Sequence, residues 1–180
     1  MLQITIPARE FWDEINEEFI PVKEVNLTLE HSLVSISKWE AKWHKAFLGK
    51  EEKTLEETID YVKCMTLTQN VSPDAYKRLT DENIKEIKEY IEDPHTATVI
   101  YEDPNAPKSR ETITSELIYY WMVALNIPPE YQKWHLNRLL TLIRICNIKN
   151  KPPKKLSQRQ LMSRNSALNA ARRAKYGTKG

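Results

Sequence analysis

The sequence predicts an α+β fold that is predominantly α-helical, with a short N-terminal β element packed on a helical bundle and a basic C-terminal helical arm. Three observations predict it. Residues 2–6 and 22–29 alternate apolar and polar side chains with the period of two that a strand requires. From Ser32 onward the apolar residues recur every three or four positions, which is one face of a helix. After Glu130 the acidic residues stop: residues 131–180 carry 13 Lys or Arg and no Asp or Glu.

Leu2 to Ile6 is β-branched and alternating, and Val25, Leu27 and Leu29 share one face of a second strand. Between Pro7 and Pro21, Phe11, Trp12, Ile15 and Phe19 recur at near-helical spacing. Leu33, Ile36, Trp39, Trp43 and Phe47 then form a helical stripe, with Gly49 as its stop. Thr54 followed by Glu57 is a capping box for a helix striped by Leu55, Ile59, Val62 and Met65. Ser72-Pro73-Asp74 and Thr80-Asp81-Glu82 are further helix starts. The second leads into Ile84, Ile87 and Ile91 and ends at Asp93-Pro94.

Thr96 to Tyr101 is β-prone and a candidate partner for the N-terminal strands. The breaker run Asp103 to Pro107 reads as a loop. Glu111 to Asn126 reads as a helix apolar nearly all round, hence central and buried. Pro128-Pro129-Glu130 starts the next, along which Tyr131, Trp134, Leu139, Leu142 and Cys146 run, with Arg138 and Arg144 at its wet edge. Lys151-Pro152-Pro153-Lys154-Lys155 cannot continue a helix. The expected division is therefore a globular domain over 1–150 and a linker with a projecting helix over 151–180. Ser157 with Gln160 is a capping box for that last helix, which is rich in alanine and thin in large apolar residues.

Composition is that of a soluble globular protein, 41% hydrophobic and 29% charged. The opening MLQITIPARE lacks a basic stretch followed by an apolar run, and no apolar stretch approaches the ~20 residues of a membrane span. A cytosolic protein is expected, with no membrane partner. With three glycines, the chain has no P-loop, no dinucleotide fingerprint and no nucleophile elbow. Cys64 and Cys146 lack motif spacing and read as reduced, buried thiols. The four histidines show no metal-ligand spacing, and His44 and His135 read as exposed or edge-of-core side chains. Glu56 and Glu57 read as a solvated helix start, and Trp39, Trp43 and Phe47 as core. The sequence thus points to a non-enzymatic protein with no cofactor and no metal.

The net charge of +2 conceals a division: residues 1–130 hold 14 basic and 25 acidic side chains, a net of −11. The candidate partner-binding residues are the basic side chains of the arm, Lys154, Lys155, Arg159, Arg164, Arg172, Arg173 and Lys175. Such an arm can neutralise phosphates of nucleic acid, dock on an acidic protein surface including a neighbouring copy, or remain a solvated tail. Charge alone leaves the three open.

Four segments carry a resemblance: Leu29 to Leu33 with Ile36-Ser37-Lys38-Trp39-Glu40; Thr114 to Met122; Gln132 to Leu140 and on to the Pro152-Pro153-Lys154-Lys155 linker; and Ala170-Ala171-Arg172-Arg173. Over most of its length the chain resembles small tail-assembly proteins of long-tailed bacteriophages. The resemblance implies a tail assembly chaperone, which coats the helical tape measure protein and keeps it soluble until tube subunits polymerise around it. It implies phage tail proteins as partners, the tape measure protein chief among them, in the cytoplasm of the bacterial host. The alternatives are a structural virion component, such as a head–tail connector or tail completion protein, and a nucleic-acid-binding protein that uses the basic arm.

Overall fold

Alternation becomes pairing at the N-terminus. Strand β1 (Leu2–Ile6) lies antiparallel to β4 (Val25–Leu29), with Ile4 opposite Leu27 and Leu2 opposite Leu29. Ile4, Ile6, Leu27 and Leu29 are buried on one face, while Thr5 and Asn26 share a hydrogen bond on the exposed side. The computed structural model describes residues 1–13, 17–100, 111–150 and 157–177. It is an α+β fold, mostly helical, and divides into two compact units, Met1–Cys146 and Asn147–Gly180.

The segment between β1 and β4 is a hairpin, β2 (Arg9–Asp13) paired antiparallel with β3 (Glu18–Val22). Phe11, Trp12 and Phe19, read at near-helical spacing, therefore lie on strands and not on a helix, and Ile15 lies outside the described residues. Aromatic and β-branched residues favour a strand, and Pro21, which lacks an N–H, is tolerated in a two-stranded sheet.

The other edge of β4 is covered by the end of a helix. Leu67 N donates to the Thr28 carbonyl at 2.8 Å and Glu30 N to the Met65 carbonyl at 2.9 Å. Residues 96–100 do not pair with the N-terminal strands: they form no strand, and Val99 is 71% exposed. Strand propensity without a face to bury is insufficient. Just upstream, His95 N donates to the Asp93 side chain at 2.6 Å, which turns the chain after the preceding helix. Tyr101 and the breaker run Asp103 to Pro107 lie outside the described residues.

Helix α1 (Leu33–Trp43) starts at the Ser32 cap and buries Leu33, Ile36 and Trp39. It ends before Gly49, with His44 in the left-handed region at φ 53°. The buried Glu40 carboxylate explains the early stop: it accepts from Phe47 N and from Ser115 N, each at 2.7 Å. The chain turns back there, so Phe47 enters the core off the helix and packs on Tyr61 with ring centroids 4.0 Å apart. Helix α2 (Leu55–Met65) starts at the expected Thr54–Glu57 capping box. Glu57 is not solvated, however; it is buried, ion-paired to Lys45 at 2.6 Å, and its carbonyl takes Trp39 Nε1–H at 2.9 Å. Lys45 and the capping bond hold its carboxyl below the usual range.

Ser72-Pro73-Asp74 opens a 3-10 turn, Pro73–Arg78, and Thr80 caps α3 (Asp81–Glu92). Helix α4 is shorter than expected (Ser115–Ala124) and is buried on one face only, through Ser115, Ile118 and Met122. Tyr120 is 66% and Val123 77% exposed, so the helix is not central. The prolines at 128 and 129 give a second 3-10 turn, Pro129–Lys133, before α5 (Leu136–Asn150). α1 packs on both α2 and α4, and α3 packs on β1.

In the second unit, α6 (Gln158–Tyr176) starts at the expected Ser157–Gln160 capping box and ends at Gly177 with φ 63°. None of its residues is buried.

Candidate protein-binding site

The first unit carries an apolar groove between α2 and α3. From α2 it is lined by Leu55, Ile59 and Val62, and from α3 by Ile84, Ile87 and Ile91. Leu79 and Phe47 complete the apolar lining, and Lys53 and Lys88 bring positive charge to it. The two helix stripes are legible in the sequence as stripes, but each reads as core. Of the six stripe residues that line the groove, only Val62 and Ile87 are buried; Ile59, Ile84 and Ile91 are half-buried and Leu55 is 69% exposed. The reason is the packing: α2 leans on α1 and α3 leans on β1, which leaves their facing sides unfilled. Lys53 lies over the Phe47 ring at 4.4 Å from its centroid, and burial lowers its pKa. The groove volume is about 180 Å³. That is below the ~300–1,000 Å³ of small-molecule pockets and suits one or two side chains of a docking helix.

The predicted arm residues fall into two groups. Arg159, Arg164, Arg172, Arg173 and Lys175 are all exposed on α6, in the second unit. At about 100° per residue, Arg164, Arg172 and Lys175 share one side of the helix with Leu161 and Leu168. Arg159 and Arg173 lie on the opposite side. Lys154 and Lys155 lie outside the described residues, as does the Pro-Pro linker.

Comparison with protein families, with curated proteins and with solved structures finds no match to this chain.

The histidines are where sequence reasoning misses most. His44 is exposed, as expected. His135 is buried, and it meets His31 at 5.1 Å and His95 at 4.0 Å between ring centroids. His31 Nδ1 shares a hydrogen bond with the Tyr61 hydroxyl at 2.5 Å, and His135 Nε2 lies 3.1 Å from the Tyr90 carbonyl. Tyr90 donates to Glu30 at 2.8 Å. Burial drives His31 down to about 3, with repulsion from His135 and His95 adding to it. Burial also lowers His135. The cluster joins the β4–α1 link to α5: Leu136 N donates to the His31 carbonyl at 2.8 Å. Positions as far apart in sequence as 31, 95 and 135 give no local signal for it.

Among the described residues, no group of three or more His, Cys, Asp or Glu side chains is arranged to hold a metal ion. Cys64 and Cys146 are free and half-buried, not fully buried as expected. Burial pushes the Cys64 thiol up, away from the reactive thiolate. Among the described residues, no helix is long and apolar enough to cross a membrane.

Proposed function

We propose that the protein is a non-enzymatic tail assembly chaperone of a long-tailed bacteriophage, which holds an apolar helical stretch of the tape measure protein in the groove between α2 and α3. The groove carries this reading. It is a formed, mostly aliphatic surface between two helices, and docking a helix face into such a groove is a recurrent mode of peptide recognition. The sequence resemblance supplies the partner. Exposed Leu55 at the groove, with Lys53 and Lys88 beside it, suits a helix whose apolar stripe is flanked by acidic residues.

Co-expression of the chain with the tape measure protein, followed by pull-down, tests the reading. Co-purification together with absence of the chain from mature particles supports a chaperone. A structural virion component would instead be found by mass spectrometry of purified particles.

A second reading is favoured by α6. Its five described cations are exposed and the chain has no acidic residue beyond Glu130. An arm of this kind binds nucleic acid with an affinity that falls steeply as salt rises. Salt-dependent DNA or RNA binding lost on deletion of residues 151–180 would select it.

A further inference from the structure

A cleft at the base of the β2–β3 hairpin contains a buried cation without a counter-ion. Arg78 ends the 3-10 turn Pro73–Arg78 and is only 6% exposed. Its Nη1 donates to the Pro7 and Lys23 carbonyls, both at 3.3 Å. Those bonds tie the turn to the chain on either side of the hairpin, but a carbonyl does not neutralise a charge. A buried unpaired charge is expensive. Among the described residues, no carboxylate lies within ion-pair distance of it.

The surroundings add to the positive charge. Arg9 and Lys23 also line the cleft and form no ion pair among the described residues. The acid on its wall, Asp74, is already held by Lys77 at 2.8 Å. The remaining wall is Ser72 with the aliphatic Val22, Val25 and Ala75. The cleft volume is about 600 Å³, within the ~300–1,000 Å³ range of small-ligand sites.

We propose that this cleft binds a carboxylate carried on an aliphatic body, with the Arg78 guanidinium receiving the carboxylate and Val22, Val25 and Ala75 the aliphatic part. Arginine's planar fork matches a carboxylate in a two-bond geometry. A single negative charge fits better than a phosphate dianion, which costs more to desolvate against aliphatic walls and meets Asp74. The same chemistry has two sources: an acidic side chain beside an aliphatic one in a partner protein, or a free medium-chain acid. The inference is independent of the groove between α2 and α3.

Methyl NMR and calorimetry on the full chain test it with four probes: octanoate, a blocked Leu-Glu peptide, octylamine and inorganic phosphate. At least one carboxylate probe should shift the Val22 and Val25 methyls saturably while leaving Ile84 in the other groove unmoved. It should bind about tenfold or more tightly than octylamine or phosphate, and Lys23→Glu should weaken it about tenfold by reversing one wall charge. Binding of the peptide alone assigns the cleft to a protein partner, and of octanoate alone to a free acid; either supports the proposal. Arg78→Lys keeps the charge and loses the fork, and should weaken binding too. Since that change can also disturb folding, exposed Lys23 carries the decisive variant. No saturable Val22 or Val25 shift from either carboxylate, equal binding of octylamine, or indifference to Lys23→Glu would overturn the proposal.

Discussion

The His31 imidazole is 2% exposed, hydrogen-bonded to Tyr61 and in ring contact with His135. Its ordinary value is 6.5 and the fold lowers it to about 3. The folded state therefore favours the neutral ring. The stabilisation is fully present above about pH 6.5, and it is lost as pH falls from there toward 3. His135 is lowered in the same sense. Denaturant unfolding should show stability declining below pH 6.5, by up to about 1.4 kcal/mol per pH unit for each histidine. His31→Gln should flatten part of that slope between pH 6.5 and 5, before most carboxylates titrate. A wild-type stability that is level from pH 7 to 5 would contradict the assignment. None of this is legible in the sequence. His135 beside Trp134 reads as an edge residue, because the rings that bury it come from the β4–α1 link, from α3 and from the segment after it. Glu40 is hidden for the same reason: its partners are the backbone N–H groups of Phe47 and Ser115, and backbone acceptance leaves no pattern of residue types.

Among the elements, legibility follows local chemistry. The Thr54–Glu57 and Ser157–Gln160 boxes each place a hydroxyl and a longer acceptor three residues apart, and both start helices where expected. Ser32–Ser35 and Thr80–Asn83 are reciprocal boxes as well, made with shorter acceptors than the Glu or Gln of the usual motif. Thr54→Ala should lower unfolding free energy by about 1 kcal/mol in denaturant titration, with Thr54→Ser close to wild type. Sequence and structure part where a long-range partner decides. Phe11, Trp12 and Phe19 lie in paired strands, and Thr96–Ile100 has β-prone residues but forms no strand. The stripes of α2 and α3 are both legible. That they leave a groove is not, because a stripe records which face is apolar and says nothing of what lies opposite. None of the residues of helix α6 is buried. Deleting residues 151–180 should leave the thermal midpoint within about 2 °C of the full chain in calorimetry. A fall of 5 °C or more would mean that the arm stabilises the first unit.

For the whole molecule, the second unit lies wholly within the acid-free part of the chain that follows Glu130. Residues 1–146 hold 17 basic and 25 acidic side chains, and residues 147–180 hold ten basic and none acidic. The prolines place the expected start of the arm at 151, whereas the compact units divide at Cys146 and Asn147, inside the last turns of α5. The sequence is therefore informative about composition by segment and about α+β class. It is silent on which faces remain open for a partner, since those depend on how helices lean on one another. In the proposed function, the open α2–α3 face holds the tape measure protein. The most direct test is the soluble yield of the tape measure protein co-expressed with the wild-type chain and with an Ile59→Asp, Ile84→Asp variant. Both residues are half-buried, and circular dichroism of the variant establishes that it folds. Holding in the groove predicts soluble tape measure protein with the wild type and a loss of at least about tenfold with the folded variant. Equal soluble yield with both would contradict the groove as the holding site.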